Sequence, residues 1–211
     1  MKTKAFNNFP DEYDIWFDKE SLIYKLELKV IKEMVPEKGE GVEIGSGTGR
    51  FSIPLGIRIG VEPSLPMGNI AVQKGLDVIG GIAESLPLRS ESFDFVLFNT
   101  VICFFDSPEM AFLESYRILR PGGLVLVGFI DRESYLGNIY NEEKEESKFF
   151  KDADFYSIPE ISRILTKSGY ESLEYAQTLI FDRKSNTLSE KISSGYGEGS
   201  YVVIKGYKKI V

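Results

Sequence analysis

In the stretch Gly41-Val-Glu-Ile-Gly45-Ser-Gly47-Thr-Gly49, three glycines alternate directly behind a short apolar run that contains an acid, Glu43. Glycine admits φ > 0 and lets another molecule approach the backbone closely. The spacing therefore marks a place for a dinucleotide, a phosphate or another cofactor, or a tight packing turn. A second acid, Glu62, ends the run Arg58-Ile-Gly-Val-Glu62, and an acid about 20 residues beyond such glycines suits ribose hydroxyls. The chain has no histidine and a single cysteine, Cys103. Ser-His-Asp and Cys-His nucleophiles, histidine metal sites and cysteine zinc sites are thereby excluded. Any chemistry must rest on carboxylates, Tyr, Lys, Asn or positioning alone.

The glycine spacing separates the candidate ligands. A nicotinamide fingerprint, G-x-G-x-x-G, would need its third glycine where Arg50 stands. The Gly-Lys-Ser/Thr of a phosphate-binding loop is missing too.

The elements that must position these residues follow from periodicity. Residues 18–35 carry apolar side chains at a helical period, with Asp18 or Ser21 as a candidate cap. Short apolar runs at 41–44, 58–64, 77–81 and within 92–105 read as strands. Helices are expected from Ser64-Leu-Pro66 and over 107–120; Pro121-Gly-Gly123 then stops the second, and a fifth strand fills 124–130. Residues 157–170 form another helix with Gly169 just past its end, and 171–181 and 201–209 are the last two strands. Strands apolar on both faces, alternating with helices, predict a mostly parallel α/β sheet covered on both sides, with ligands beyond the carboxyl ends of its strands.

Length and composition bound the rest. A chain of 211 residues, 43% hydrophobic and 27% charged, suits one globular domain spanning 1–211. A net charge of −7 argues against a nucleic-acid partner. Neither a membrane span nor a signal peptide is evident, so a cytoplasmic protein is expected. Cys103 reads as a small buried hydrophobe, and the mainly acidic run 141–154 as a solvated helix face.

Taken in order, EIGSGTG, VEPSLPM, GIAESLP, SFDFVLFN and YRILRPGGLVLVG resemble the class I S-adenosylmethionine-dependent methyltransferases, in particular the small-molecule branch with the ubiquinone and menaquinone biosynthesis enzymes. The likeness is close over residues 38–130. It implies a Rossmann-like, seven-stranded sheet with an antiparallel C-terminal strand. It implies S-adenosylmethionine as cofactor, S-adenosylhomocysteine as product and a small-molecule acceptor. By the same resemblance Glu43, Gly45 and Gly47 face the methionine moiety, Glu62 the ribose hydroxyls and Met67 the adenine ring, unless Met67 is an ordinary core methionine; Ser46 and Pro63 are cofactor-binding as well. The Asn99 backbone carbonyl meets the cofactor's ammonium. Residues 1–36 form a lid and helix, with Tyr13 and Trp16 as lid aromatics.

The chain departs from that pattern where the family places an adenine-binding Asp: the residue is Ile82, which leaves the Ala83 N–H or Glu84 for that contact. The segment between Gly49 and Glu62 is also short and holds Pro54, so its crossover helix must be abbreviated. For the acceptor side, residues 131–156 form a capping insertion in which Asp131 or Tyr135 could take a proton or serve as ordinary loop polar groups. Tyr196 and Glu198, in a glycine-rich turn, approach the substrate if the last strands form a hairpin on the ligand side. No metal site is expected. The leading reading is methyl transfer by in-line alignment. The alternatives are a non-catalytic methyltransferase-like scaffold and a nicotinamide oxidoreductase.

Overall fold

The computed structural model describes residues 2–182 and 187–210. Helices α1 (Lys4–Asn8), α2 (Pro10–Lys19) and α3 (Ser21–Met34) lead into β1 (Gly41–Ile44), β2 (Ile59–Val61), α4 (Leu65–Gln73), β3 (Asp77–Ile79) and β4 (Phe93–Asn99). Then follow α5 (Pro108–Ile118), β5 (Leu119–Ile130), α6 (Tyr135–Glu142), α7 (Ile158–Lys167), β6 (Glu171–Asp182), β7 (Thr187–Ser189), β8 (Ser193–Ser194) and β9 (Gly199–Tyr207). The sheet runs β3-β2-β1-β4-β5-β9-β6-β7, with β8 beside β6. Strands β1 to β5 pair in parallel, and β9 inserts antiparallel between β5 and β6.

The parallel strands are apolar on both faces because both are covered. On one face Val42, Val96, Phe98 and Val125 pack against Phe112 of α5 and Ile161 and Leu165 of α7. On the other, Phe95, Leu97, Leu126 and Val203 meet Val30, Ile31 and Met34 of α3 and Phe17 of α2. The chain proceeds from β1 toward one sheet edge and from β4 toward the other, so the β1/β4 boundary is the switch point at which such sheets bind ligands.

Several expectations are corrected. The described residues hold nine strands rather than seven, because the short β7 and β8 add to the outer edge of β6. The helical pattern over 18–35 is two helices that break at Glu20, and neither Asp18 nor Ser21 caps the second, whose N-cap is Glu20 without a side-chain bond. Pro121-Gly-Gly123 is not what stops α5, which already ends at Ile118: β5 begins at Leu119 rather than 124 and accommodates these residues at a register shift opposite Phe93 and Phe95. Ser64 does cap α4, accepting from Met67 N–H at 3.5 Å. No helix stands between β1 and β2, in keeping with the short, proline-containing segment there. Among the described residues no helix is long and apolar enough to cross a membrane.

Candidate cofactor and substrate site

The loop after β1 turns back on itself through Gly45, Gly47 and Gly49, all at positive φ. Gly45 N–H and Ser46 N–H both donate to Val61 O, at 2.8 and 3.2 Å, which ties the loop to the end of β2. A Cβ at Gly47 would stand 3.4 Å from Met67 Cε and 3.9 Å from Tyr13 Cε1, at the junction of two cavities. A side chain there would occupy the space a ligand needs.

Glu62 closes the loop from the other side. Its carboxylate accepts from Gly47 N–H and Ser64 N–H, both at 2.8 Å. Burial raises its pKa, and those two backbone donors partly offset the effect. With Pro63, Met67, Thr100 and Val101 it lines the more polar of the two cavities. A carboxylate offers about four lone-pair sites, so two remain for hydroxyls.

The second cavity is aromatic and lies beneath α2. Gly45, Gly47, Asn99 and Thr100 are common to both cavities, and Thr100 stands at φ +51 just past β4. A left-handed threonine costs about 1–3 kcal/mol, a strain that concentrates where function fixes the backbone. Asn99 Oδ1 accepts from the buried Tyr201 hydroxyl, while its Nδ2 is buried without a partner among the described residues. Gly128 makes that pairing possible, since a Cβ there would collide with the Tyr201 hydroxyl and stand 2.7 Å from Asn99 Oδ1.

Two carboxyls line the aromatic cavity. Glu43 on β1 is 2% exposed, accepts from Ser52 Oγ, and is pushed up to about 8 by burial against the lowering effect of that bond. Glu27 on α3 is 5% exposed and is pushed up to about 8 by burial alone. Arg50 is the one cation on the wall among the described residues, and it is already engaged: Nε and Nη2 donate to Asp14 at 2.8 and 2.9 Å, and Nη1 to Asp18 at 2.8 Å. Burial works against ionisation of Asp14, but hydrogen bonds from Arg50, Lys74 and Thr48 hold it down to about 2. The arginine that replaces a third glycine thus clamps α2 across the loop.

The expected site residues divide accordingly. Glu43, Gly45, Ser46, Gly47 and Asn99 meet in the aromatic cavity with Tyr13 and Trp16 of α2. Glu62, Pro63 and Met67 line the neighbouring one. Ala83 and Glu84 line neither: Ala83 is packed in the core, and Glu84 Oε1 accepts from Asp106 N–H at 2.8 Å and Ser107 N–H at 3.4 Å, holding the start of α5. Asp131, Tyr135, Tyr196 and Glu198 are likewise not brought to the glycines. They border a separate depression, where Asp131 Oδ1 accepts from Glu133 N–H at 3.2 Å, Tyr135 stacks on Phe181 and Tyr196 packs on Tyr175. Sequence reading missed Glu27, whose signal is an acid on the buried stripe of α3 with Val30, Ile31 and Met34. It also missed Tyr140, Phe149 and Phe150 of the 131–156 segment, which wall the cavity. Cys103 is buried there, its thiol pushed up to about 12 by burial. Among the described residues no cluster of His, Cys, Asp and Glu could hold a metal ion.

S-adenosylmethionine joins a ribose and a cationic, methyl-bearing end. A carboxylate with free lone pairs beside one cavity, and an acidic cavity across a glycine turn, fit those two parts. Residues 42–127 match the methyltransferase domain family. The uncharacterized Methanocaldococcus jannaschii protein MJ1123 is 43% identical over 204 residues, 97% of this chain and 98% of that one. A Thermotoga maritima crystal structure, described as a SAM-dependent methyltransferase and possible histamine N-methyltransferase, is 48% identical, with a TM-score of 0.93 over 98% of this chain and 100% of that one. The demethylmenaquinone methyltransferase of Roseiflexus castenholzii is 35% identical over 101 residues, 43% of this chain and 42% of that protein. With its closely superimposable fold and the matched domain, the chain belongs to the S-adenosylmethionine-dependent methyltransferases.

Proposed function

We propose that this chain methylates a small-molecule acceptor held in the aromatic cavity, with S-adenosylmethionine lying across the glycine turn and its ribose on Glu62. The observation that carries the reading is the shared wall: Gly45, Gly47, Asn99 and Thr100 border both cavities. A cofactor bound on the Glu62 side therefore points its reactive end at whatever fills the other. The bound cofactor supplies an activated sulfonium methyl. The chain's own task is to align the acceptor and keep water out, and alignment alone can lower a barrier by several kcal/mol. Asn99 is held by Tyr201 with its unpartnered Nδ2 in the wall, a donor available to a ligand oxygen. Tyr13, Trp16 and Phe17 of α2 shield the cavity from solvent.

Two of the named relatives are described by chemically different acceptors, histamine and demethylmenaquinone, so membership of the family leaves the acceptor open. Isothermal titration of S-adenosylhomocysteine into wild type, Glu62→Gln and Glu62→Ala tests the cofactor assignment, with NADH as the control. Loss of charge-assisted bonds to the ribose is expected to weaken binding by about 10- to 100-fold. Unchanged binding in both variants, or binding of NADH in place of S-adenosylhomocysteine, would overturn it.

A further inference from the structure

Glu27 is a buried carboxyl with no hydrogen-bond or ion-pair partner among the described residues. A core helix does not need it: Leu at this position of the α3 stripe would bury without cost, whereas a carboxyl taken from water without compensation is destabilising. Burial of this kind persists where a ligand completes the site. The surroundings state which ligand. Tyr13, Trp16 and Phe17 of α2, Tyr140 of α6, and Phe149 and Phe150 beyond it wall the same cavity. Aromatic faces attract cations, more strongly once water is excluded. The remaining titratable groups on the wall add no competing positive charge. Glu43 from β1 is a second acid, the tyrosines are neutral, Cys103 holds its proton, and Arg50 is held by Asp14 and Asp18. Tyr201 of β9, which feels the Glu27 charge, is neutral as well.

We propose that the methyl acceptor is a small primary or secondary amine, bound as its cation between Glu27 and the aromatic wall. This rests on the methyltransferase reading above and assigns the substrate class of that same cavity. Glu27 pairs with the ammonium on binding. It then accepts one N–H proton, so that carboxylate and ammonium become carboxylic acid and amine, and the nitrogen lone pair is free to attack. The high pKa of Glu27, about 8, suits it to take that proton. The same property makes amine binding expel a proton from the empty site below pH 8.

The test is titration of graded amines (ethanolamine, cyclohexylmethylamine, 2-phenylethylamine) and the neutral isostere 2-phenylethanol into wild type and Glu27→Gln, each saturated with S-adenosylhomocysteine. At least one amine is expected to bind wild type at least tenfold more tightly than the alcohol and to lose at least tenfold in Glu27→Gln. S-adenosylhomocysteine affinity is expected to stay within twofold. In wild type alone, which needs no folded variant, amine affinity should rise about tenfold per pH unit from pH 6 toward 8 and then level, as one linked proton requires. Equal binding of amine and alcohol, no binding by any amine, an affinity flat in pH, or loss of S-adenosylhomocysteine binding in Glu27→Gln would each overturn the proposal. Amine binding without S-adenosylhomocysteine binding in wild type would instead overturn the cofactor reading and leave the amine site standing.

Discussion

Glu62 and Glu27 are the same residue type at nearly the same depth, 8% and 5% exposed, on opposite sides of one glycine turn. Glu62 is satisfied: two backbone N–H groups hold it, and in holding it they fix the turn. Glu27 has neither donor nor counter-charge among the described residues, and burial alone sets its pKa. A satisfied acid is part of the scaffold and can lend its spare lone pairs to a ligand's hydroxyls. An unsatisfied one is unfinished until a ligand supplies the missing charge. The contrast is what the proposals above rest on, in which one cavity takes a neutral ribose and the other a cation.

The most severe way to break the contrast is to fill the junction. Gly47→Leu places a side chain between Met67 and Tyr13 at φ +55. It is expected to lower stability by only about 1–2 kcal/mol, yet to weaken S-adenosylhomocysteine by more than about 100-fold, the affinity given up when roughly 3 kcal/mol of contacts is lost. Calorimetric titration beside a thermal melt separates the two effects. A smaller effect sharpens the contrast through pH. Folded Glu27 keeps its proton to about 8, against the ordinary 4.5. The folded state thus binds more protons than the unfolded one between those values, and stability falls as pH rises through that window. Glu27→Gln should therefore melt higher than wild type at pH 8, by about 4–8 °C if about 2 kcal/mol is recovered, and level with it at pH 4. The smallest effect concerns the cover. Asp14→Asn weakens the links to Arg50 and Lys74. A few-fold faster release of S-adenosylhomocysteine in stopped flow is expected, in line with about 1 kcal/mol for a part-exposed ion pair. Because Asp14 ionises near 2, that rate should be flat from pH 6 to 9, unlike amine binding.

Much of the polar half was legible in the sequence because its signals are local. The glycine triplet, the acid ending the second strand and the Ser64 cap each act within a few residues of themselves. The aromatic half was largely hidden because its residues come from α2, α3, α6 and the segment after α6, and only the fold brings them together. Glu27 looks like one more charge in Leu-Glu-Leu-Lys until burial shows which face it occupies. Asp131 and Tyr135 were placed correctly beyond β5, but position past a strand end does not say to which side the chain then turns. The short β7 and β8 carry too few residues for any periodicity to reveal.

Arg50 has a kinetic consequence. By seizing Asp14 and Asp18 it fixes α2 as a wall of the aromatic cavity. A product held behind that wall is expected to leave by its displacement, so that departure rather than bond-making paces turnover. Moderate salt screens the exposed Asp18 half of the clamp and should shorten the residence time of product, raising kcat while the chemical step stays as fast as before.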